Sequence, residues 1–140
     1  MKKILVPFDG SDNSLSALRY VVTLAQEHAS LKVELLHVLD PMTVKPDTVM
    51  NQEQINHLYE QEADKVLRFA RQILDETSLL YEQHFRIGDP ANEIAAQVRE
   101  KECDGVVMGT RGMGQIACLM IGSVATRVVH LVRVPVTLIK

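Results

Sequence analysis

The sequence is poor in the residues on which several classes of protein depend. It contains no tryptophan, and aromatic residues make up only 4% of its 140 positions. Proteins that bind single-stranded nucleic acid use exposed rings on which the bases stack. Positive charge is not in excess either, because the net charge is -3 at pH 7, whereas a nucleic-acid binder needs a basic surface. We therefore expect no nucleic-acid partner.

Cysteine and long apolar runs are also scarce. The two cysteines, Cys103 and Cys118, lie outside any CxxC pattern, and we interpret them as small apolar residues of a reducing compartment. The apolar run at residues 4–8 is too short for the core of a signal peptide. The most apolar stretch, residues 116–139, is interrupted by arginine and histidine and is not a membrane span. We expect a cytoplasmic protein without membrane insertion.

Two hydrophobic periods alternate along the chain. Short apolar or β-branched runs predict strands at residues 4–8, 32–39, 81–87, 105–108 and 135–139. Helical spacing predicts helices from residue 11 or 12 to about 29, at 52–76, at 90–101, and from residue 117 or 122 to about 131. Residues 40–50 carry two prolines and predict a loop. This alternation predicts an α/β fold, a parallel sheet with helices on both faces, in a single domain over residues 1–140.

Two segments at predicted strand ends have the composition of ligand sites, which in open parallel sheets lie beyond the carboxyl ends of the strands. Residues 7–11 read Pro-Phe-Asp-Gly-Ser, and residues 109–114 read Gly-Thr-Arg-Gly-Met-Gly, with Gly122-Ser123 further on. Glycine lets a phosphate reach bare backbone, and a helix beginning at Gly122 would add free N–H donors. The glycine segment is thus a phosphate-binding loop or merely a turn. It is neither a Walker loop nor the dinucleotide fingerprint.

Single residues in these segments have competing interpretations. Asp9 is a ligand residue or a capping aspartate of the turn, and both roles can coexist. Arg111 faces a phosphate or solvent. The five histidines show no metal-ligand spacing, so no metal site is predicted. Phosphoryl transfer needs a cluster of cations, a metal-holding carboxylate and a base, and with only Arg111 in view no catalytic residue is predicted.

The chain resembles the universal stress protein family over its full length. The family's ATP-binding signature, G-2x-G-9x-G-(S/T), is met by Gly109, Gly112 and Gly122-Ser123 with the spacing intact. Further matches, in the family's order, are the opening strand and acidic turn at 4–11, Leu-His-Val at 36–38, Gly-Asp-Pro at 88–90 and Val-Pro-Val at 134–136. The resemblance implies a Rossmann-like fold whose open five-stranded parallel sheet has the order 3-2-1-4-5.

The resemblance also implies a site for ATP, or for AMP or ADP. Residues expected around the base and sugar are Pro7, Phe8, Asp9, Val38 and Gly109. Residues expected at or beside the phosphates are Met108, Arg111, Gly112, Met113, Gly122, Ser123 and Val124. Asp9 and the Val38 backbone would meet adenine, and Gly109 would lie near the ribose. A Mg²⁺ ion would be held mainly by the phosphates and water.

Two positions depart from the family's pattern. Ala125 stands where some ATP-binding members have a hydroxyl residue, so one phosphate contact is missing or Thr126 replaces it. Phe8 stands where a smaller residue is frequent, and we expect it to crowd the base pocket.

The resemblance implies a regulatory or stress-response role through nucleotide-dependent conformation and partner binding. The alternatives are a weak ATP hydrolase or phosphotransferase, and an interaction module that needs no nucleotide. The family commonly dimerises through its last strand, here residues 134–139, from Val134 through Ile139. An apolar edge strand invites such pairing. The competing interpretation is an edge guarded by Arg133 and Lys140.

Overall fold

The computed structural model of the protein describes residues 2–47, 49–111 and 121–140. Strands and helices alternate along these residues, with a 3₁₀ turn at Pro41–Thr43. The elements are β1 (Lys3–Pro7), α1 (Asp12–Glu27), β2 (Lys32–Leu39), α2 (Gln52–Leu74), β3 (Leu80–Ile87), α3 (Pro90–Glu100), β4 (Gly105–Gly109), α4 (Ser123–Leu131) and β5 (Val136–Ile139).

The five strands form one parallel sheet in the order β3-β2-β1-β4-β5. From the central β1 the chain adds β2 and β3 on one side, then crosses to add β4 and β5 on the other. The switch of direction leaves a crevice between the carboxyl ends of β1 and β4, where ligands of such sheets bind. The predicted fold and strand order are confirmed, and β5 lies at an edge.

The core has two layers because alternate strand residues point to opposite faces. Ile4 and Val6 of β1 pack with buried residues of α1 and α2, whereas Leu5 between them packs with those of α3 and α4. All three side chains are fully buried, and each stabilises the fold by about 1.5–3 kcal/mol. Cys103 is also buried, and burial raises the pKa of its thiol to about 11. Cys118 lies outside the described residues.

Capping decides where the first and last helices begin. Ser11, not Asp12, caps α1, because its Oγ accepts a hydrogen bond from the Ser14 amide at 3.2 Å. α4 begins at Ser123 with Gly122 as its N-cap, and the alternative start at residue 117 lies outside the described residues.

Several predicted boundaries were wrong by one or two residues. β1 ends at Pro7, and β5 begins after Pro135, which has no N–H to donate to a ladder. The predicted loop at residues 40–50 contains the 3₁₀ turn, which the Asp40 side chain caps by accepting from the Met42 amide at 2.8 Å. α1 ends at Glu27 and α2 at Leu74, both before the predicted ends. Within the described part of the chain, no helix has both the length and the apolarity of a membrane span.

Candidate functional site

A cavity of about 250 Å³ lies at the carboxyl ends of the central strands. The ends of β1, β2 and β4 form its floor, and the first turns of α3 and α4 form a wall. Its lining consists of Pro7, Phe8, Asp9, Ser14, Leu36, His37, Val38, Pro90, Ile94, Met108, Gly109, Thr110, Arg111, Gly122, Val124 and Ala125. Thus residues far apart in sequence meet at the switch point of the sheet.

Most residues predicted for the site lie in this lining. They are Pro7, Phe8, Asp9, Val38, Met108, Gly109, Arg111, Gly122 and Val124. Ser123 is the exposed first residue of α4 and is not part of the lining. Gly112 and Met113 lie outside the described residues.

The Asp9 turn has the capping role that its sequence allowed. One carboxylate oxygen of Asp9 accepts from the Ser11 amide at 2.9 Å, and Gly10 adopts a φ of 84°, a conformation that glycine tolerates best. The turn leads directly into the Ser11 cap of α1. Asp9 is only half-buried and lines the cavity, so capping the turn does not remove it from the site.

The Phe8 side chain packs in the core beneath the cavity. It is only 2% exposed and belongs to the core layer of α1 and α2, together with Val6. The alternation along β1 directs Phe8 and Val6 to the same face. The core thus accommodates the ring, while Phe8 also contributes to the cavity lining, and the crowding of a bound base stays a prediction.

His37, at the end of β2, is a cavity residue that the sequence analysis did not select. Its Nδ1 lies 2.8 Å from the Phe8 carbonyl oxygen, and since a carbonyl only accepts, Nδ1 must carry the proton. Burial lowers the pKa of His37, although the bond to Phe8 and the charge of Asp9 oppose that shift. The side chain is therefore neutral at pH 7. The sequence feature that could have identified His37 is its position at the end of a strand adjacent to β1.

Gly109 is required by packing within the protein. A Cβ at this position would lie 2.6 Å from the Asn13 Cβ and 2.8 Å from the Asn13 carbonyl carbon. Contacts below about 3 Å to backbone atoms force a shift of the chain. The sequence argument attributed the glycines to the approach of a phosphate. At Gly109, the group that approaches closely is instead the first turn of α1.

The start of α4 has no side-chain cap, because its N-cap is Gly122. Such a helix end offers backbone N–H donors and the positive end of a dipole to an anion. The Thr126 hydroxyl donates to the Gly122 carbonyl at 2.9 Å. Thr126 is thus engaged within its own helix, which argues against the alternative that it replaces a hydroxyl at Ala125.

An exposed ion pair ties the wall helices together. Asp89 caps α3 by accepting from the Asn92 amide at 3.0 Å, and it also accepts from the Arg127 guanidinium of α4 at 2.8 Å. The Arg127 guanidinium and, after it, the Asn92 amide hold the pKa of Asp89 below its ordinary value. The pair holds the starts of α3 and α4 side by side above the cavity.

A second cluster of ionisable groups lies away from the cavity. Ligand atoms of Glu34, Glu82 and His84 come within 4.8 Å of one another, a proximity that sequence spacing did not suggest. The buried Glu34 carboxylate lies 2.5 Å from His84 Nε2. The pocket beside the cluster is lined by Lys3, Lys32 and Lys101 among others. We interpret the cluster as a hydrogen-bonded contact between Glu34 and His84, since a buried polar group needs a partner.

Comparisons of sequence and of structure both find universal stress proteins similar to this chain. The model of the universal stress protein family matches residues 1–140. Universal stress protein MJ0531 of Methanocaldococcus jannaschii is 33% identical over 99% of this chain and 82% of its own. The structure of MJ0577 from the same organism matches with a TM-score of 0.83 and 28% identity, covering 99% and 95% of the two chains. A universal stress protein from Archaeoglobus fulgidus, solved with dAMP, shares the fold at a TM-score of 0.69 and 23% identity, with 100% and 98% covered.

Proposed function

Because the chain belongs to the universal stress protein family, we propose that it binds an adenine nucleotide, ATP above all, in the cavity at the switch point. The observation that carries this proposal is the convergence of Asp9, Val38 and the signature glycines Gly109 and Gly122 on one cavity. The Archaeoglobus fulgidus relative supports the proposal because it was solved in complex with dAMP.

The nucleotide would lie across two sides of the cavity. The base side comprises Pro7, Phe8, Asp9 and Val38 at the ends of β1 and β2, with Gly109 near the ribose. The phosphate side comprises the α4 start and the glycine segment, and its residues are Met108, Arg111, Gly112, Met113, Gly122, Ser123 and Val124. The cavity of about 250 Å³ is slightly below the roughly 300–1,000 Å³ of ligand pockets. This size suits a base and sugar, with the phosphates outside against α4, where they would also hold Mg²⁺.

We propose a regulatory rather than a catalytic role. Arg111 is the only Lys or Arg side chain among the described lining residues, whereas phosphoryl transfer uses several cations, a metal-holding carboxylate and a base. Binding would instead change the conformation of the protein and thereby a surface that a partner contacts. Slow hydrolysis or phosphotransfer is the alternative activity, and a nucleotide-independent interaction module is the second alternative.

Mass analysis of the purified, denatured protein tests the binding proposal. We expect ATP or AMP to co-purify, and added ATP to raise the melting temperature of the nucleotide-free protein. Finding no nucleotide and no thermal shift would contradict the binding proposal and favour the nucleotide-independent interaction module. Turnover as fast as that of a dedicated kinase, abolished by Gly112→Val, would favour the enzyme.

We also propose a homodimer through β5, in a single-domain cytoplasmic protein. Among the described strands β5 pairs with β4 alone, and its four residues are half-buried, which leaves one row of backbone groups for another chain. Val136→Lys should shift light scattering from dimer to monomer. Leu80→Lys places the same charge on the opposite edge strand, where Leu80 is exposed, and should leave the dimer intact. Equal behaviour of both variants would contradict the β5 interface.

A further inference from the structure

We propose that Thr110 is a positioning residue that sets the phosphate side of the cavity relative to α1, an inference that rests on the proposed nucleotide binding. Thr110 follows β4 directly, is 5% exposed and lines the cavity. Neither the signature nor the turn analysis selected it. Its three polar groups each bond to a different element.

The backbone of Thr110 joins α4 to the sheet. Its amide donates to the Ile139 carbonyl at 2.9 Å, which extends the pairing of β4 with β5 by one residue. Its carbonyl accepts from the Gly122 amide at 2.6 Å. That bond brings the N-cap of α4 to the end of β4 across residues 111–121. The position of the uncapped helix start is therefore defined from Thr110.

The side chain of Thr110 adds the link to α1. Its Oγ1 accepts from the side-chain Nδ2 of Asn13 at 3.2 Å. Asn13 is the residue against which Gly109 packs without space for a Cβ, so the contact lies at a tightly fitted crossing of α1 and β4. α1 in turn begins at the Ser11 cap and the Asp9 turn. One hydroxyl thus connects the element that carries Asp9 with the strand end that positions Gly122.

The relative position of the two sides of the cavity affects binding most for a ligand that contacts both sides. Adenosine would contact the base side, whereas ATP would also reach the α4 start. Losing the Thr110–Asn13 hydrogen bond should therefore weaken the binding of ATP more than the binding of adenosine. A substitution that only destabilised the fold would weaken the binding of both ligands equally.

Calorimetric titration of the nucleotide-free protein with ATP and with adenosine tests this inference. Thr110→Val keeps the shape of the side chain but removes the acceptor, and the ratio of ATP to adenosine affinity should fall about tenfold, roughly the value of one hydrogen bond. Asn13→Ser should lower the ratio similarly, and the double variant should lose no more than either single one. Thr110→Ser retains the hydroxyl and should restore the ratio. Thr23→Val, the same change on the exposed side of α1, is the matched control.

The outcomes separate the two proposals. Wild-type protein that binds neither ligand overturns the proposed function, and this inference with it. Wild-type binding with an unchanged ratio in Thr110→Val, or an equal loss for both ligands, overturns the role of Thr110 alone. Melting temperatures show whether each variant is folded. If Thr110→Val does not fold, Asn13→Ser tests the same hydrogen bond in its place.

Discussion

The base side of the cavity is fixed by hydrogen bonds within the protein, whereas on the phosphate side no side chain caps the start of α4. At the ends of β1 and β2, the Phe8 amide donates to the Leu36 carbonyl at 2.8 Å, and its carbonyl accepts from His37. At the start of α4, Gly122 provides no side-chain cap. The base side is thus shaped before binding, and the phosphate side is where a bound anion would add the missing contacts.

Gly109 lies between the two sides, and its substitution should have the largest effect. Gly109→Ala would place a Cβ within 3 Å of the Asn13 backbone, and we expect a loss of about 3 kcal/mol in the free energy of unfolding, the upper end for overpacking. Urea denaturation measures it. Gly10→Ala is the control, because a Cβ at Gly10 would make only an ordinary contact, 3.8 Å from Val66 Cγ1, but at a φ of +84°, and it should cost only about 1–2 kcal/mol. A smaller loss at Gly109 than at Gly10 would contradict the packing argument.

Gly122→Val should separate binding from stability on the phosphate side. The φ of Gly122 is -75°, which valine can adopt, so the melting temperature should change little. A branched side chain at the helix start would keep a phosphate from the backbone, and ATP affinity should fall at least about tenfold. Calorimetric titration measures the affinity. Unchanged affinity would remove Gly122 from the phosphate side.

His37, on the base side, should make the stability of the protein depend on pH. Its folded-state pKa is lowered, chiefly by burial, so the unfolded chain takes up the proton first. The stability that the neutral side chain contributes is present above about pH 6.5, the unfolded-state pKa. It is lost as the pH falls from there through the folded-state pKa. Denaturation between pH 8 and 5 should show this loss, and His37→Asn should reduce it. The exposed His57 gives the control His57→Asn, and an equal slope in both variants would exclude His37 as the source.

The smallest effect is expected from the ion pair of the wall helices. Asp89→Asn retains a capping group but removes the charge that faces Arg127. The folded-state pKa of Asp89 is lowered, so the stability from the pair is present above the unfolded-state pKa and is lost as the pH falls through the folded-state value. Wild-type protein should therefore lose slightly more stability than the variant on acidification below about pH 4. Salt should screen the difference because the pair is exposed, and a difference that salt leaves intact would contradict this account.

Local sequence patterns were sufficient for the succession of strands and helices, and the family resemblance supplied the strand order of the sheet, but neither gave the contacts between distant residues. The apolar runs of β1 and β4, and the Asp89-Pro90 start of α3, act through neighbouring residues, so they could be recognised. Gly109 was selected for the approach of a ligand, and the structure adds a packing constraint that no local pattern records, because its close neighbour Asn13 is almost a hundred positions away. Thr110, His37 and the Glu34–His84 pair were missed for the same cause. Their roles depend on which strands and helices become adjacent, and no local pattern records that.

The central claim is that a nucleotide bridges the two sides of one cavity. Adding ATP to ¹⁵N-labelled, nucleotide-free protein and recording amide chemical shifts tests it most directly. The account predicts saturable shifts at Asp9 and Val38 on the base side together with Gly122 and Val124 on the phosphate side. Shifts at neither side, or only around the remote cluster of Glu34 and His84, would contradict it.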